Sequence, residues 1–592
     1  MITAPKRHIV FASAAIFLVI LAIAGLASFG SGALERTMIV FLISLIGVAG
    51  IGVYSGNSGI LSFGHVGFMG IGAYCAALLT LPVPLKTATL PNLPSWLATT
   101  QLDFVSATLL AVLFVGVVAA IIGAAIGRLE GSAATIATLG LLIIVHGVTI
   151  GWRDVTRGAQ TFFGVPRETT LWTAAIACII ALIVARLYRD SVSGLRLRAG
   201  RDNAIAANAV GINIQKERLV SFIVSAMLMA LAGSLLAHFL GAFSPKKFYF
   251  TDTFFLLSML IVGGMSTVTG AFTGAVVITL ITEILRRFES GFTLFGFEMP
   301  TIFGTTQIGI GLIILFAMFR KANGLAGLKE WEERIFAREI SPQNAPAATQ
   351  PIDERTELQA SGLVMQFGGL TAVNNVSFRL KPGEIFGLIG PNGSGKTTVM
   401  NMLSCVLKPT VGSVKLGDTE LIGRKSNEVA NFGIARTFQN IRLFPDLTVY
   451  QNVHVAALST RGGKNADART YAALERLGLL DRADEDSGTL SYGDQRRVEI
   501  ARALACEPAL LFLDEPAAGM NREETDDLME TLRKLCAELG IGILIVDHDL
   551  KLINELCDRV AVLNEGKMIA EGTPAEVRNN PAVVEAYLGR SA

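Results

Sequence analysis

The chain has 592 residues, too many for one hydrophobic core, so its length predicts at least two domains. Hydrophobic residues make up 51% of it and charged residues 17%, and the mean hydropathy of +0.52 excludes a wholly water-soluble protein. The net charge of +1 argues against a nucleic-acid partner, which would favour a basic surface. The six cysteines form no C-x-x-C pair and no metal-site spacing, so we interpret them as buried or free thiols.

The first 320 residues contain a series of apolar segments long enough to cross a bilayer as helices. The first segment, 9–29, exceeds the apolar part of a secretory signal peptide, roughly 7 to 15 residues, so we expect an uncleaved helix. The further candidates are 37–55, 60–81, 104–127, 132–151, 171–187, 218–241, 253–285 and 301–319. Because glycine interrupts several of these segments, we predict eight to ten spans.

Two glycine-rich segments lie in this region, 58–74 (SGILSFGHVGFMGIGAY) and 262–274 (VGGMSTVTGAFTG). Glycine at this density lets helices approach closely or break, and a broken helix can expose backbone groups to a polar substrate. Ordinary helix packing explains the two segments equally well. The polar candidates for a pathway between the helices are Asn57, Ser58, Ser62 and His65. His65 could equally bond a neighbouring helix.

The distribution of arginine predicts the orientation of the helices. Residues 186–201 (RLYRDSVSGLRLRAGR) contain five arginines, and positively charged loops stay inside, so we expect this loop on the cytoplasmic side. The loop 151–166 (GWRDVTRGAQTFFGVP) is then expected on the outer face. There Arg153 and Arg157 could favour an acidic partner surface, or they could simply be solvated.

A short polar segment follows the arginine-rich loop. Residues 202–212 (DNAIAANAVGI) predict a short helix capped by Asp202 or Asn203 and ended by Gly211. This helix is too short and too polar to span a membrane.

The chain changes character after Lys321. Residues 341–355 (SPQNAPAATQPIDER) have the composition of a linker, and from about Glu357 short apolar strands alternate with amphipathic helices. The pattern predicts a polytopic α-helical membrane domain followed by an α/β domain with a parallel sheet. The predicted parts are a transmembrane domain over 1–325, a linker over 326–356 and an α/β domain over 357–592.

A glycine-rich run, GPNGSGKTT, follows a predicted strand over 385–389 and precedes a predicted helix, as in a phosphate-binding loop. Its glycines let backbone N–H groups turn toward phosphates, and the positive end of the helix adds to the attraction. Lys396 can reach the β- and γ-phosphates, and Thr397 can coordinate Mg²⁺. The predicted nucleotide-binding residues are Gly390, Pro391, Asn392, Gly393, Ser394, Gly395, Lys396, Thr397 and Thr398.

Two carboxylates end another predicted strand, in the run LLFLDEP over 510–516. A buried strand of this kind delivers them to the edge of the sheet where nucleotides bind. We assign Asp514 to Mg²⁺ and Glu515 to the attacking water, which it would orient or deprotonate. The alternative, a solvated acidic turn, would leave the phosphate-binding loop without its metal partner. The predicted cofactors are therefore ATP and Mg²⁺, and the predicted activity is ATP hydrolysis.

The run LSYGDQ over 490–495 lies between these two motifs. Here the chain, from 358 to 590, resembles the ATP-binding cassette (ABC) superfamily, whose signature motif it matches with Tyr492 and Asp494 as variants. The resemblance implies an α/β P-loop ABC ATPase domain whose signature completes the nucleotide site of another such domain. It implies that Ser491 and Gly493 contact the γ-phosphate in trans, and hence a dimer of ATPase domains.

Three further residues match the superfamily in order. Gln439, in the run TFQN, resembles the glutamine of the loop that links the metal site to the membrane domain. His548, in VDHD, resembles the switch histidine, which senses or stabilises the γ-phosphate, and Phe367, in MQFG, resembles the aromatic residue that stacks on adenine. The implied catalytic residues are Glu515, His548 and Gln439, and the implied metal ligands are Thr397, Gln439 and Asp514.

A narrower resemblance covers both halves of the chain. Residues 202–212 look like the coupling loop of bacterial ABC importers, an E-A-A-x-x-x-G pattern with Ile205 in place of the acid. The whole stretch 194–214 and the helix that begins at Arg218 indicate a narrower family. With the two glycine-rich segments, they resemble the permeases of the branched-chain (hydrophobic) amino-acid ABC importer family. A basic helix that only touches lipid head groups is the alternative. The runs 490–497, 514–521 and 572–588 resemble the ATPase subunits of the same family.

The resemblance implies ATP-driven import of branched-chain or related amino acids across the bacterial cytoplasmic (inner) membrane. The expected protein is multi-pass, with its ATPase domain in the cytoplasm. Permease and ATPase are usually separate chains in that family, so their fusion here is a departure that leaves the stoichiometry open. The implied partners are a second permease/ATPase half, identical or related, and an extracytoplasmic substrate-binding protein; no nucleic acid is expected.

Three alternatives stay open from the sequence. The same family extends to importers of urea, amides and small carboxylates. An ABC exporter half-transporter shares the order of membrane domain and ATPase, but it usually carries six long helices. A membrane-anchored regulatory ATPase without transport would need no glycine-broken polar core.

Overall fold

The computed structural model describes residues 4–290, 293–294, 297–298, 303–321, 323–335 and 357–588. The chain forms two compact units, the first over Met1–Arg198 and Gln215–Glu339 and the second over Ala199–Ile214 and Ile340–Ala592. Helices make up the first unit, and sheets flanked by helices make up most of the second. This architecture confirms the predicted fold class.

The predicted linker over 326–356 falls largely on residues outside the described ranges. Only 326–335 of it are described, and these residues belong to the first unit, where they end in a short helix, Trp331–Ile335. The remaining linker residues, 336–356, lie outside the described part of the chain.

Helices of 4 to 27 residues form most of the described chain up to residue 335. They are α1 (Ala4–Ser28), α2 (Gly32–Ser58), α3 (His65–Thr80), α4 (Val83–Thr89), α5 (Ser95–Thr99), α6 (Phe104–Ile126), α7 (Gly131–Gly151), α8 (Arg153–Thr156), α9 (Leu171–Asp190), α10 (Val192–Asp202), α11 (Ala204–Ala209), α12 (Ile214–Leu240), α13 (Phe250–Gly263), α14 (Val268–Ser290), α15 (Thr305–Arg320) and α16 (Trp331–Ile335). Two short antiparallel strand pairs accompany them: β1 (Phe162–Phe163) with β2 (Ala242–Phe243), and β3 (Thr293–Leu294) with β4 (Phe297–Glu298).

Seven described helices are long and apolar enough to cross a membrane, and the α3–α4 pair, bent by 116°, raises the number to eight. The sequence predicts eight to ten spans, so eight is the lower end of the predicted range, and two of its candidate segments differ from the structure. The single helix predicted over 253–285 is wrong, because the structure divides it into α13 and α14. The candidate over 301–319 corresponds to α15, which has only 16 residues.

The break between α13 and α14 has a steric cause. Gly264 ends α13 with φ at 118°, a conformation that favours glycine. A Cβ atom on Gly263 would lie 2.0 Å from the carbonyl oxygen of Gly270, and one on Gly274 would lie 1.8 Å from that of Met259. The two helices therefore pack backbone against backbone, which a continuous helix could not do.

The predicted cytoplasmic loop over 186–201 is wrong in its local structure, because these residues are almost entirely helical. They end α9 and form most of α10, with a sharp turn at Ser191. The Ser191 hydroxyl donates to the carbonyl of Tyr188 at 2.7 Å and accepts from the N–H of Gly194 at 3.1 Å. These bonds satisfy backbone groups at the junction, so the chain turns without a loop.

Other glycines in the first unit also serve close packing. A Cβ atom on Gly72 of α3 would lie 2.5 Å from the Cα of Ala230, and one on Gly233 of α12 would lie 1.9 Å from the carbonyl oxygen of Met69. The α3 and α12 backbones thus touch, which only small residues permit. The glycine-rich segments accordingly act as helix-packing surfaces.

The polar side chains beside the first glycine-rich segment are buried and locally bonded. The amide of Asn57 donates to the carbonyl of Val53 at 2.9 Å, and Nδ1 of His65 lies 2.6 Å from the hydroxyl of Ser62. The His65 ring packs against Tyr54 and Phe222, with ring centroids 5.3 and 5.1 Å away. A role for this group in a substrate pathway stays a prediction.

Glu330, which the sequence does not single out, lies fully buried in the first unit. Its carboxylate accepts from the N–H groups of Val268 and Thr269 at 2.8 and 2.9 Å, so it caps the first turn of α14. Arg186 and Arg189 of α9 lie 2.9 and 3.4 Å from the same carboxylate. Burial alone would raise the pKa of Glu330, but the Arg189 and Arg186 guanidiniums outweigh it and hold that pKa below its ordinary value.

Two sheets form the framework of the second unit. Its strands are β5 (Leu358–Phe367), β6 (Leu370–Leu380), β7 (Ile385–Ile389), β8 (Val411–Leu416), β9 (Thr419–Glu420), β10 (Ile434–Arg436), β11 (Leu510–Asp514), β12 (Gly542–Val546), β13 (Arg559–Asn564) and β14 (Lys567–Gly572). Its helices after α11 are α17 (Lys396–Leu403), α18 (Ser426–Val429), α19 (Val449–Ser459), α20 (Ala466–Arg476), α21 (Tyr492–Leu504), α22 (Arg522–Leu539), α23 (Leu550–Leu556), α24 (Pro574–Arg578) and α25 (Pro581–Leu588).

The larger sheet has the order β10-β11-β12-β7-β13-β14, parallel except for β14, and the smaller one is antiparallel with the order β6-β5-β8-β9. All residues of β7, β11 and β12 are buried. These strands read as continuous apolar runs because helices cover both faces of a parallel sheet. Their carboxyl ends lie at one edge, where the candidate site is found.

Candidate functional site

The glycine-rich loop connects β7 to α17, as the sequence predicts. Gly390, Gly393 and Gly395 have φ values of 150°, 82° and 102°, which favour glycine. A Cβ atom on Gly390 would lie 2.1 Å from the carbonyl oxygen of Leu563, and one on Gly395 would lie 2.6 Å from that of Ala372. The loop is therefore pressed against neighbouring backbone at both ends, while Gly393 faces open space.

The loop presents polar groups that suit an anion. The ammonium of Lys396 donates to the carbonyls of Gly390 and Pro391 at 2.8 and 3.0 Å, and it has three donors in all. The Ser394 hydroxyl is buried and has no hydrogen-bond partner among the described residues. Asn392 and Thr397 are exposed, and Thr398 is half-buried. A buried hydroxyl without a protein partner beside a lysine fits a phosphate group.

Asp514 ends β11, which lies between β10 and β12 in the sheet, and its side chain is buried. Burial raises the pKa of Asp514 to about 6, although the positive charge of the Arg436 guanidinium has the opposite effect. Its Oδ1 atom has no hydrogen-bond partner among the described residues. A buried carboxylate oxygen without a partner is suited to a cation such as Mg²⁺, so the donor set fits the predicted metal.

Glu515 follows with φ at 45°, a left-handed conformation that costs a non-glycine residue about 1–2 kcal/mol. Its N–H donates to the carbonyl of Val546 at 2.7 Å, which fixes the turn to the end of β12. His548 lies just beyond that strand, with Nδ1 3.9 Å from the Glu515 carboxylate and 3.6 Å from that of Asp547. The sheet edge thus brings Glu515 and His548 together.

Lys396 links the loop to these acids electrostatically. The pKa of Lys396 is lowered, because burial outweighs the negative charges of Glu515 and Asp514, which act to raise it. The predicted loop and the predicted acidic pair therefore lie at the same edge of the sheet, because β7 and β11 both run parallel to β12, which lies between them.

The signature residues lie at the start of α21, and they contact their own chain. Ser491 caps the helix, accepting from the N–H of Asp494 at 3.3 Å and donating to its carboxylate at 2.6 Å. Gly493 is buried, and a Cβ atom there would lie 2.8 Å from the Glu524 carboxylate. The variant residue Asp494 also accepts from Arg482 at 2.7 Å. Ser491 is thus held by the carboxylate of Asp494, and the carboxylate of Glu524 lies beside Gly493.

The side chain of Gln439 is exposed. Its main-chain carbonyl accepts a hydrogen bond from a buried arginine, Arg496. Arg496 of α21 donates to the carbonyls of Phe438, Gln439 and Glu515 at 2.7, 3.0 and 3.2 Å. Sequence reasoning missed Arg496. The available signal was its spacing to Glu499, one helical turn away, on a helix that also carries the signature.

Phe367 ends β5 in the antiparallel sheet and is 47% exposed. It pairs with Leu370 across the turn at Gly368 and Gly369. An aromatic ring held at a strand end and open to solvent is available for stacking.

The short predicted helix after the arginine-rich region is α11, and it belongs to the second unit. Asn203 caps it by accepting from the N–H of Ala206 at 3.0 Å, as predicted, and Gly211 follows it with φ at 88°. Ala206 and its neighbour Ala207 are buried, whereas Ile205 is 47% exposed.

Two polar contacts tie this segment to the loop that follows Gln439. Arg201 lies 2.7 Å from the carboxylate of Asp446, and Asp202 accepts from the N–H of Asp446 at 3.1 Å. A Cβ atom on Gly211 would lie 3.2 Å from the carbonyl oxygen of Ser459. The segment therefore contacts the loop beside Gln439 on one side and the end of α19 on the other.

Three family models match the chain. A model described as "ABC transporter" matches residues 373–518, and one described as "Branched-chain amino acid transport system / permease component" matches 33–318. A third, "Branched-chain amino acid ATP-binding cassette transporter", matches 567–592. The matches cover the helical part, the phosphate loop with the acidic strand, and the carboxyl-terminal end.

Curated relatives resemble the second unit over nearly their whole length. The chain is 45% identical over 250 residues to the high-affinity branched-chain amino acid transport ATP-binding protein LivG of Escherichia coli K12, covering 40% of this chain and 98% of LivG. It is 42% identical over 253 residues to BraF of Pseudomonas aeruginosa, covering 40% of this chain and 99% of BraF. A solved nucleotide-free ATP-binding cassette from an ABC transporter aligns at 30% identity with a TM-score of 0.36, covering 39% of this chain and 99% of that one.

Proposed function

The chain belongs to the branched-chain amino-acid ABC transporter family, with permease and ATP-binding cassette fused, and we propose that it is one half of an ATP-driven importer of branched-chain or related amino acids. One observation carries this proposal: a chain matching a permease model also holds a phosphate-binding loop beside a buried aspartate, Asp514, and the partly buried Glu515 that follows it. The names of LivG and BraF support the substrate class.

We assign nucleotide binding to the loop from Gly390 to Thr398. Its backbone N–H groups and the amino end of α17 would cradle the phosphates, and Lys396 would neutralise charge on the β- and γ-phosphates. Phe367, exposed at the end of β5, would stack on the adenine ring.

Thr397, Gln439 and Asp514 would hold Mg²⁺. When bound, the ion neutralises charge on the phosphate oxygens during hydrolysis. Asp514 brings a buried oxygen without a protein partner, and Gln439 stands on a loop whose backbone Arg496 fixes. Thr397 thus comes from the phosphate loop, Asp514 from the end of β11, and Gln439 from the loop in contact with the segment that contains α11.

Hydrolysis is assigned to Glu515 and His548. The Glu515 carboxylate would orient the attacking water and take up its proton, and the His548 imidazole would donate to the γ-phosphate. The distance of 3.9 Å between the His548 ring and the Glu515 carboxylate supports a shared role for the two groups.

The segment from Arg201 to Gly211 is proposed to couple the ATPase to the permease. Movement of the Gln439 loop would pass through Asp446 to Arg201 and Asp202. Because α11 is covalently joined to α12, such a movement reaches a membrane-spanning helix directly.

The proposed assembly contains two ATPase domains. Ser491 and Gly493 would contact the γ-phosphate bound by the partner domain, so the chain needs a second half, either a copy of itself or a related one. A substrate-binding protein would deliver amino acids from outside. We place the multi-pass protein in the bacterial cytoplasmic membrane, with the cassette in the cytoplasm.

Exchange of Glu515 for Gln tests the proposed chemistry. Glu515→Gln keeps the side-chain shape but cannot accept a proton, so we expect ATP turnover to fall at least ~100-fold while ATP binding persists. Phosphate release and fluorescent-nucleotide binding by the purified full-length protein measure the two effects separately.

The matched control is Glu523→Gln, an exposed glutamate in the first turn of α22. We expect this variant to hydrolyse ATP at the wild-type rate. Undiminished turnover by Glu515→Gln would contradict the assignment of Glu515.

A further inference from the structure

Arg496 is fully buried, and its guanidinium contacts the functional loops of the nucleotide site from inside the protein. Its charge is balanced by Glu499, also fully buried, at 2.7 Å. Its Nη atoms also donate to main-chain carbonyls of Phe438, Gln439 and Glu515. One side chain therefore holds the backbone of Gln439 and the backbone of Glu515 at the same time.

The helix that carries Arg496 also carries the signature. Ser491 caps the amino end of α21, and Arg496 follows five residues later, on the order of 7 Å along the helix axis. Residues this close on one helix move together. A displacement of Ser491 is therefore transmitted to Arg496 and to the carbonyls that it binds.

The contact with Glu515 acts on a strained backbone. Glu515 has φ at 45°, and its backbone makes three hydrogen bonds: its N–H donates to Val546, and its carbonyl accepts from Arg496 and from the N–H of Ala518. If Arg496 moves, one of these three restraints on the strained conformation changes. The backbone conformation of Glu515 helps to set the direction of its side chain, so Arg496 contributes to the position of the carboxylate.

We propose that Arg496 is a positioning residue that couples the two nucleotide sites of the dimer. Contact of Ser491 with nucleotide in the partner's site sets the position of α21, and Arg496 then aligns Gln439 and Glu515 in its own chain's site. ATP at one site thereby prepares hydrolysis at the other. This inference rests on the proposed function, because it requires paired ATPase domains.

Arg502 provides a matched control on the same helix. It is also buried, it also lies near Glu499, at 3.8 Å, and its guanidinium lies over the ring of Phe444, 4.7 Å from the centroid. Arg502 thus shares the burial, charge and counter-charge of Arg496, but it packs on a ring instead of the Gln439 and Glu515 carbonyls. A purely structural role for buried arginine predicts similar consequences for both residues.

The test compares Arg496→Met, Arg496→Lys and Arg502→Met in the full-length transporter reconstituted in lipid nanodiscs with its partner half. ATPase rates are measured against ATP concentration, together with nucleotide affinity and melting temperature. For Arg496→Met we expect the Hill coefficient to fall from near 2 toward 1 and kcat to fall about tenfold, with nucleotide affinity unchanged. For Arg502→Met we expect a lower melting temperature and a wild-type Hill coefficient.

Arg496→Lys keeps the charge opposite Glu499 but cannot reach three carbonyls, so we expect it to fold and to lose cooperativity. If Arg496→Met does not fold, Arg496→Lys alone tests the proposal. A wild-type Hill coefficient in Arg496→Lys, or an equal loss in Arg502→Met, would overturn the proposal, as would a wild-type protein without cooperativity. Failure of the proposed function is separate, because it would appear as undiminished turnover in Glu515→Gln.

Discussion

Each unit of the molecule contains a cluster of buried arginine and glutamate side chains, but the two clusters hold different structures. In the first unit, Glu330 with Arg186 and Arg189 fixes the amino end of α14, next to the break after α13. In the second, Arg496, which is paired with Glu499, fixes main-chain carbonyls of two loops of the nucleotide site. Burying charges costs several kcal/mol per ion before pairing, so both clusters mark places where orientation matters more than stability alone.

The comparison predicts different failures for the two clusters. Loss of the first should release a helix end and destabilise the permease. Loss of the second should misalign the nucleotide site while the surrounding sheet, with its continuous buried strands, stays folded. The following substitutions test this contrast, from the largest expected effect to the smallest.

Glu330→Ala should be the most destabilising. It leaves two buried guanidiniums without this counter-charge and two N–H groups of α14 without their acceptor, which we expect to cost about 4 kcal/mol. The melting temperature in detergent should fall sharply. Glu283→Ala, in the exposed pair with Arg286, is the control and should change it little. Equal effects of the two would refute the structural role of Glu330.

Glu499→Gln should destabilise the second unit by about 3 kcal/mol, because Arg496 and Arg502 lose the carboxylate that faces both. ATP turnover per folded molecule should also fall, since Arg496 is no longer held. Chemical unfolding and ATPase assays on the same preparation separate the two effects. A stable protein with normal turnover would show that the buried pair is dispensable.

Gly274→Ala should destabilise the α13–α14 contact by about 2 kcal/mol, since the added Cβ would lie 1.8 Å from the carbonyl oxygen of Met259. Gly147→Ala in α7 is the matched control, because a Cβ there meets nothing within 4 Å. That change should be neutral or slightly stabilising. Thermal denaturation of both variants checks the difference, and a similar loss in both would argue against close packing at Gly274.

Arg201→Ala should have the smallest effect on stability, about 0.5 kcal/mol, because its partner Asp446 is partly exposed. Its expected effect is on coupling: fewer substrate molecules carried per ATP hydrolysed. Simultaneous measurement of uptake and phosphate release in proteoliposomes gives this ratio. An unchanged ratio would exclude the Arg201–Asp446 contact from the coupling route.

The site could be predicted from the sequence wherever its functional groups belong to residues that are consecutive in the chain. The phosphate loop is such a case, since glycine at 390, 393 and 395 and lysine at 396 follow a strand and open a helix. The acids 514 and 515 end a strand in the same way. These local patterns need no knowledge of distant contacts.

The parts that could not be predicted depend on contacts between distant residues. The break between α13 and α14 depends on backbone packing of Gly263 against Gly270 and of Gly274 against Met259. The capping of α14 depends on Glu330, some 60 residues away in the chain. Arg496 donates to the carbonyls of Phe438, Gln439 and Glu515. No spacing pattern within its own helix predicts contacts with these carbonyls. Hydropathy therefore predicted one long helix where the structure has two.

Uptake of labelled leucine tests the central claim most directly. Proteoliposomes would contain the full-length protein and its partner half, with ATP on the side of the cassette and the substrate-binding protein on the other. We expect leucine to accumulate against its gradient with the wild-type protein, and not with Glu515→Gln or without ATP. Accumulation by Glu515→Gln at the wild-type rate, or none by a wild-type protein that hydrolyses ATP, would contradict the account.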